Sequence, residues 1–162
     1  PIGVEDTTAS LHDSLASLGG RLMVQALEQR GAGPLTLVPQ PQEGITYAHK
    51  IEKHEALIDW GQSAEQITRR VRAFQPFPVA SSVLNGETLK IWRAGVADTM
   101  TPTSQNFGEI VTVGPDFIAI AAMDSVVLIE ELQRPGAKRM AMADFLRGCP
   151  LAPGMRFESV SR

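Results

Sequence analysis

Basic side chains form three groups whose residue types and spacing suit contact with a phosphate backbone. Each group places two or three cations within a few residues, so that one turn, strand or loop presents them together to a negatively charged ligand. Considered by itself, this pattern is more typical of a solvated surface with ion pairs than of a binding site. The groups are Arg69, Arg70 and Arg72 ahead of a proline, Lys90 and Arg93 beside Trp92, and Arg134, Lys138 and Arg139 in a Pro-Gly loop.

Aromatic side chains near these cations are candidates either for the core or for stacking on nucleic-acid bases. Lys90 and Trp92 are two residues apart, so a strand places both on one face and Arg93 on the other. We interpret Trp60 and Phe77 as core residues rather than as base-stacking platforms.

Other chemistries find little support in the sequence. No carboxylate or cysteine stands at a spacing that completes a metal site around His12, His49 or His54. The single cysteine, Cys149, excludes an internal disulfide and favours a reducing compartment. A Gly-x-Ser-x-Gly elbow and a glycine-rich phosphate loop are both absent from the sequence. We therefore expect no metal site and no catalytic nucleophile in this chain.

The net charge of the 162-residue chain is −3, a value that by itself argues against nucleic-acid binding. Residues 1–45 hold two basic and five acidic residues, whereas residues 46–162 hold 13 of each kind. The second part is therefore neutral on average, which leaves room for one basic face. The longest apolar run, residues 117–123, is far short of the about 20 residues that span a bilayer, so we expect no membrane partner.

One helix and a set of short strands must carry the basic groups. Ser63 and Gln66 form a capping-box pattern, and the apolar helix stripe that follows stops ahead of Pro76. Asn85-Gly86, between two apolar runs, is the strongest local signal for a hairpin. The predicted strands are 79–84, 89–94, 108–113, 117–122 and 126–132, followed by a short helix at 141–146. Short strands at this spacing indicate a small closed barrel or a sandwich.

The first quarter of the chain predicts helices and a linker. Apolar residues at helical spacing begin at Leu11, and we expect Gly19-Gly20 to interrupt the helix and divide it into a hairpin. Pro- and Gly-containing residues then predict an extended linker. The predicted organisation is a helical segment at 1–34, the linker at 35–45 and a barrel domain at 46–162. Because the chain opens without a methionine, we expect it to be a piece of a longer protein.

Five stretches in order along the chain together resemble the C-terminal region of the methionyl-tRNA formyltransferase family. The acidic opening with Leu11 to Leu15 is similar to the last helices of that family's N-terminal catalytic domain. The sequence departs from the family pattern at Gln75 and Phe77, where Asn and Trp are commoner. The stretches are 46–51 (TYAHKI), 55–60 (EALIDW), 67–78 (ITRRVRAFQPFP), 108–111 (GEIV) and 132–140 (LQRPGAKRM).

The resemblance implies an α+β fold that is mainly β. It consists of an OB-like small barrel with one well-defined helix, preceded by a helical segment left from an α/β, Rossmann-like catalytic domain. The parent enzyme would transfer a formyl group from 10-formyltetrahydrofolate to the methionyl amine of initiator tRNA. Its catalytic residues and folate pocket would lie in the missing domain. The resemblance therefore assigns no catalytic, cofactor-binding or metal-binding residue to this chain, and His12 inherits no catalytic role.

The role implied for this chain is to hold and orient initiator methionyl-tRNA beside the missing N-terminal catalytic domain. The parent would be a monomer of the bacterial cytoplasm or, alternatively, of an organellar matrix. Basic side chains suit this task, because phosphate contacts position a nucleic acid without reading its sequence. The candidate tRNA contacts are Lys50, Arg70, Arg72, Lys90, Arg93, Lys138 and Arg139, some of which should instead pair with Asp59, Glu65 or Glu130.

Two alternatives remain open at this point. One is the C-terminal domain of another formyltransferase-type enzyme, acting on sugar nucleotides or hydrolysing formyltetrahydrofolate. The other is a structural barrel without a nucleic-acid role. Clustering of the basic side chains on one face would favour tRNA binding over the structural barrel.

Overall fold

The structure, a computed structural model, describes residues 1–97 and 106–159. The chain divides into two compact units, Pro1–Ile51 and Glu52–Arg162. The segments 1–34, 35–45 and 46–162 stay a prediction. Within the described residues, no helix has the length and apolar character needed to cross a bilayer.

The first unit is built on one long helix, α1 (Thr8–Ala32). Its N-terminus is capped by Thr7, whose hydroxyl accepts the Ser10 N–H at 3.1 Å, while the Ser10 hydroxyl accepts the Thr7 N–H at 3.0 Å. The expected break at Gly19-Gly20 was wrong, because both glycines lie inside α1. A glycine lowers helix stability by only about 0.5–1 kcal/mol and leaves the ladder of backbone hydrogen bonds intact.

No residue of α1 is buried. Its apolar side chains are largely in solvent, with Leu15, Leu22 and Leu27 exposed by 64%, 53% and 65%. Residues 33–51, all of which the structure describes, contain no helix or strand.

The second unit begins with a 3-10 turn, Lys53–Ala56, and helix α2 (Ala64–Ala73). The predicted capping box is confirmed: the Ser63 hydroxyl accepts the Gln66 N–H at 3.2 Å, and the Gln66 side chain accepts the Ser63 N–H. The stripe that includes Ile67 and Val71 is buried, so α2 packs its apolar face into the core and leaves its arginines outside it.

Short antiparallel strands form the sheet of this unit, and the predicted hairpin lies at its centre. Asn85 and Gly86 have φ of 53° and 78°, the left-handed conformation that a two-residue hairpin turn requires. The strands are β1 (Ser81–Leu84), β2 (Glu87–Val96), β3 (Ile110–Val113), β4 (Ile118–Ala121), β5 (Val126–Gln133), β6 (Met140–Ala141) and β7 (Phe157–Glu158), with helix α3 (Met142–Gly148) after β6.

The strand order is β3-β4-β5-β2-β1-β7, with β6 paired to β5. The two ends of this order are joined by backbone hydrogen bonds, because the Phe157 N–H donates to Gly108 O at 2.8 Å and the Ile110 N–H to Met155 O at 2.7 Å. The predicted α+β, mainly β, barrel-like fold is confirmed. The two-residue strands β6 and β7 were not predicted.

The core fills the inside of the curled sheet. Trp60 and Phe157 are fully buried, with ring centroids 5.8 Å apart, and Ile91 at the centre of β2 is also fully buried. The Trp60 indole N–H donates to the Ser82 hydroxyl at 3.0 Å, so this buried polar group has its partner. The interpretation of Trp60 as a core residue is confirmed.

Candidate nucleic-acid interface

A groove on the outside of the sheet brings together Lys90, a member of one of the basic groups, and two aromatic rings. Its volume is about 480 Å³. Three segments of the second unit build it: the 3-10 turn, the proline-containing segment after α2, and neighbouring strands of the sheet. The lining residues are Lys53, Ala56, Pro76, Phe77, Pro78, Val79, Ser81, Thr88, Lys90, Trp92 and Gln133.

Phe77 projects from the segment that follows α2. The interpretation of this residue as part of the core was wrong, because its exposed fraction is 59% whereas the next residue, Pro78, is buried. The chain turns here because proline cannot continue the helix. The turn is closed by the Val79 N–H, which donates to Phe74 O at 2.9 Å, and the Gln75 amide donates to Trp92 O on β2. Phe77 therefore stands out from an anchored loop.

Trp92 is held in place by a chain of polar contacts on the same side of the sheet. Its indole N–H donates to Gln133 Oε1 at 2.8 Å, and Gln133 Nε2 donates to Ala137 O at 2.8 Å. The Arg139 guanidinium carbon lies 5.1 Å from the Trp92 ring centroid, within the range of a cation–π contact. These contacts fix the tryptophan as one wall of the groove.

Lys90 shares this face with Trp92, as the spacing predicted, and both line the groove. Arg93 does not follow simple alternation, which would place it with the buried residues Leu89 and Ile91. Its side chain is instead 64% exposed and its Nε lies 2.6 Å from Glu130 Oε2. Register shifts on either side of Arg93 in the β2–β5 pairing are the cause, because a bulge interrupts the period of two.

Several predicted contacts already have protein partners. Arg93 pairs with Glu130, as expected for one of the candidates, and Arg139 pairs with Glu131. Arg70 donates through Nε to Glu55 O at 3.0 Å, and its guanidinium carbon lies 5.2 Å from the Phe74 ring centroid. Arg70 thereby ties α2 to the 3-10 turn that carries Lys53.

Other predicted contacts present their charge without a carboxylate within 4 Å among the described residues. Lys90 and Lys138 are exposed, and Arg72 is half-buried. Lys50 is also exposed, but it belongs to the first unit. The structure thus brings Lys90 and Arg139 together around Trp92, with Lys138 next in sequence. Whether any of the seven contacts tRNA stays a prediction.

Lys53 and Gln133 are groove residues that the sequence reasoning did not identify. Lys53 is isolated among polar residues and belongs to none of the three basic groups, so composition offered no signal for it. Gln133 follows the end of the predicted strand 126–132, and its role depends on a tryptophan 41 positions away in sequence. A pattern of neighbouring residues in the sequence therefore predicts neither residue.

The described residues form no metal site at the groove, and Arg134, whose pKa is shifted, is not one of the residues that line it. Over residues 1–97 and 106–159, no three His, Cys, Asp or Glu side chains come together as a metal site would require. The pKa of Arg134 is raised because its guanidinium donates to Glu87 Oε1 at 2.9 Å and Oε2 at 3.0 Å, so that this cation is held in a bidentate pair.

Comparison with known proteins identifies the region around the groove. Residues 50–150 match the family described as formyl transferase, C-terminal domain. A methionyl-tRNA formyltransferase from Albidiferax ferrireducens is 58% identical over 98% of this chain and 49% of its own length. One from Burkholderia pseudomallei is 46% identical over 96% of this chain and 47% of its own length. The chain spans about half the length of the curated relatives it matches.

Solved structures show the same fold at low sequence identity. A variant of HypX from Aquifex aeolicus has a TM-score of 0.66 and is 21% identical, covering 89% of this chain and 26% of that protein. HypX in complex with tetrahydrofolic acid has a TM-score of 0.58 and is 23% identical, covering 76% of this chain and 22% of that protein.

Proposed function

The chain belongs to the formyl transferase C-terminal domain family, and from this we propose that it is the tRNA-orienting half of a methionyl-tRNA formyltransferase. The observation that carries the proposal is the identity of 58% and 46% to two enzymes of that name, over nearly the whole of this chain. Both relatives carry the name methionyl-tRNA formyltransferase, which favours this function over a sugar-nucleotide enzyme or a formyltetrahydrofolate hydrolase.

The parent reaction divides between the two halves of the enzyme. Formyl transfer from 10-formyltetrahydrofolate to the methionyl amine passes through a tetrahedral intermediate, which the preceding half would stabilise with its own polar groups. This chain supplies orientation: binding the tRNA body restricts the motion of the methionyl end and lowers the entropic part of the barrier. No residue of this chain takes part in the chemical step, and the parent works in the bacterial cytoplasm.

The cations that best support the proposal are Lys90 and Lys138, which are exposed and have no carboxylate within 4 Å among the described residues, with Arg139 packed on Trp92 beside Lys90. Three phosphate contacts predict that affinity falls roughly 40-fold between about 50 and 200 mM salt. Helix α1 belongs, in this proposal, to the catalytic half, whose remaining residues cover the apolar side chains that are exposed here.

The test is the binding of the 162-residue chain to initiator tRNA at these two salt concentrations, measured by fluorescence anisotropy. We expect weak binding at low salt that decreases steeply at high salt, and no formyl transfer. Lys138→Gln should reduce affinity about two- to tenfold, whereas the control Arg147→Gln, a cation on α3 paired with Asp144, should change it less than about twofold. Absence of binding at low salt would contradict the proposal.

The full-length enzyme provides a second readout. Replacing Lys138 and Arg139 together by Ala should raise KM for tRNA more than it lowers kcat, because phosphate contacts hold the tRNA body in the ground state and in the transition state alike. An unchanged KM would remove both residues from the interface.

A further inference from the structure

We propose that the groove between Phe77 and Trp92 binds an unpaired nucleotide of the RNA, with its base stacked on Phe77 and its phosphate at Lys90. This inference rests on the proposed function and names a subsite within it. It assigns a ligand to an aromatic ring, that of Phe77, which lies outside the core.

The exposure of Phe77 is the first observation. A large aromatic side chain that is 59% exposed is informative, because the apolar rings of a folded protein are ordinarily covered. The ring is also presented on a restricted backbone, since Pro76 and Pro78 fix φ on either side of it. Binding a flat ligand on this face therefore requires little further ordering of the loop.

The positive charge of the groove favours a flat ligand that carries negative charge. Lys53 and Lys90 both line it, and no Asp or Glu is among its lining residues. Neither lysine has a carboxylate within 4 Å in the part of the chain that the structure describes. The groove thus combines a stacking surface with uncompensated positive charge, the pairing by which proteins bind single-stranded nucleic acid. A protein segment of neutral or basic character would leave these charges unused.

The polar side chains of the groove determine whether it can distinguish one base from another. Gln133 is the lining side chain best suited to hydrogen-bond a base edge, but its oxygen accepts from Trp92 and its nitrogen donates to Ala137. These two bonds occupy one of its two N–H donors and one of its two acceptor positions, which limits what Gln133 can offer to a base edge. The subsite should therefore show little preference among bases, and a base locked in a duplex should not enter it.

Four variants of the 162-residue chain separate these contributions. Phe77→Leu keeps an apolar side chain but removes the stacking face, and Lys90→Gln removes one charge while keeping length. Arg147→Gln is the control for loss of an exposed cation away from the groove. Trp92→Phe serves only to identify the source of the fluorescence signal. Phe77, Lys90 and Arg147 are all exposed, so their three variants should keep the thermal midpoint of the wild type.

The probes are a fluorescein-labelled single-stranded RNA octamer, an RNA duplex of the same length, and initiator tRNA. We expect Phe77→Leu to weaken octamer binding about tenfold and duplex binding less than twofold. Lys90→Gln should weaken both, and Arg147→Gln neither. The octamer should also quench wild-type tryptophan emission but not that of Trp92→Phe, since the other tryptophan, Trp60, is fully buried.

Each outcome bears on one of the two proposals. If tRNA binds but Phe77→Leu leaves octamer binding unchanged, the subsite is wrong and the proposed function stands. If the octamer binds through Phe77 but tRNA does not bind, the proposed function is wrong and the groove remains a single-strand site. If none of the three RNAs binds, both proposals are overturned and a protein segment becomes the remaining occupant of the groove.

Discussion

The two units of the chain use similar apolar side chains in opposite ways. In α1, leucines recur at helical spacing and remain exposed, whereas in the second unit Ile91, Trp60 and Phe157 are fully buried. The difference is one of partners, because a single helix cannot cover its own apolar side, whereas a curled sheet with α2 packed against it can. Hydrophobic periodicity therefore predicts where an apolar face lies and leaves open whether this chain covers it.

The largest effect expected from this contrast is the loss of a core side chain. Ile91→Ala should lower the free energy of unfolding of the second unit by about 2–5 kcal/mol, because it leaves a cavity at the centre of β2. The matched variant Leu27→Ala, 65% exposed on α1, should change it by less than about 0.5 kcal/mol. Urea denaturation followed by the fluorescence of Trp60 and Trp92, both in the second unit, measures both. Equal losses would remove the distinction between the units.

A buried hydrogen bond should come next in size. Ser82→Ala leaves the Trp60 indole N–H without its acceptor and should cost about 1–3 kcal/mol. The exposed pair in the first unit is the comparison: Ser10→Ala removes the hydroxyl that accepts the Thr7 N–H, which water can replace, and should cost less than about 1 kcal/mol of helix stability. In a double-mutant cycle, Ser82→Ala should cost less in a Trp60→Phe background, where no indole N–H is left unpaired, and an equal cost in both backgrounds would contradict the assigned role of the bond.

Replacing a glycine by alanine should change stability with opposite signs in the two units. A Cβ at Gly108, where φ is +87°, would overlap the backbone oxygen of Phe157, so Gly108→Ala should destabilise the barrel by more than about 1 kcal/mol. At Gly19 and Gly20 a Cβ meets nothing within 4 Å, so Ala at either should stabilise α1 by about 0.5–1 kcal/mol. Thermal melts followed by far-ultraviolet circular dichroism report both, and a destabilised α1 would mean that these glycines serve close packing.

The smallest effect concerns pH and is confined to the first unit. The pKa of Asp6 lies below its ordinary value of 3.8, because the carboxylate accepts the Gly3 N–H at 2.7 Å and the Ser10 hydroxyl at 3.0 Å. A lowered pKa means that the carboxylate stabilises the folded state above its unfolded pKa and ceases to do so as pH falls through the folded pKa. Helical signal should therefore decrease slightly below about pH 4. Asp6→Asn should lack this decrease, and an identical titration in both would contradict it.

Local signals predicted most of the fold. The capping box at Ser63 and the Asn85-Gly86 turn act within four residues, so a single stretch of sequence specifies them. Strand β7 was missed because its partner β1 lies more than 70 positions away in sequence, and β6 because only two residues after the loop at 134–139 pair with β5. The break expected at Gly19-Gly20 was wrong because too much weight was given to a local signal. The helix-breaking preference of a glycine is only about 1 kcal/mol, and the continuous backbone hydrogen bonds of α1 outweigh it.

The site was predicted less completely than the fold. Strand alternation predicted that Lys90 and Trp92 share one face. The expected ion pairs between candidate cations and nearby carboxylates included Arg93 with Glu130, which the structure contains. The exposure of Phe77 could not be read from spacing, because neither helix nor strand period applies between two prolines. The bulge at Arg93 likewise arises from the pairing of two strands rather than from either strand's own sequence.

Closure of the barrel has a consequence for the order in which the chain acquires its structure. The backbone bonds that join Gly108 and Ile110 to residues 155–157 span nearly 50 positions, and β7 pairs with β1 across more than 70. On a ribosome that makes the chain from its N-terminus, the hairpin β1–β2 and helix α2 can form while the last turn of the barrel is still unmade. The fully buried ring of Phe157 then arrives last and completes the wall against Trp60. A nascent chain stopped before Phe157 would leave an open sheet edge that invites pairing with a second chain.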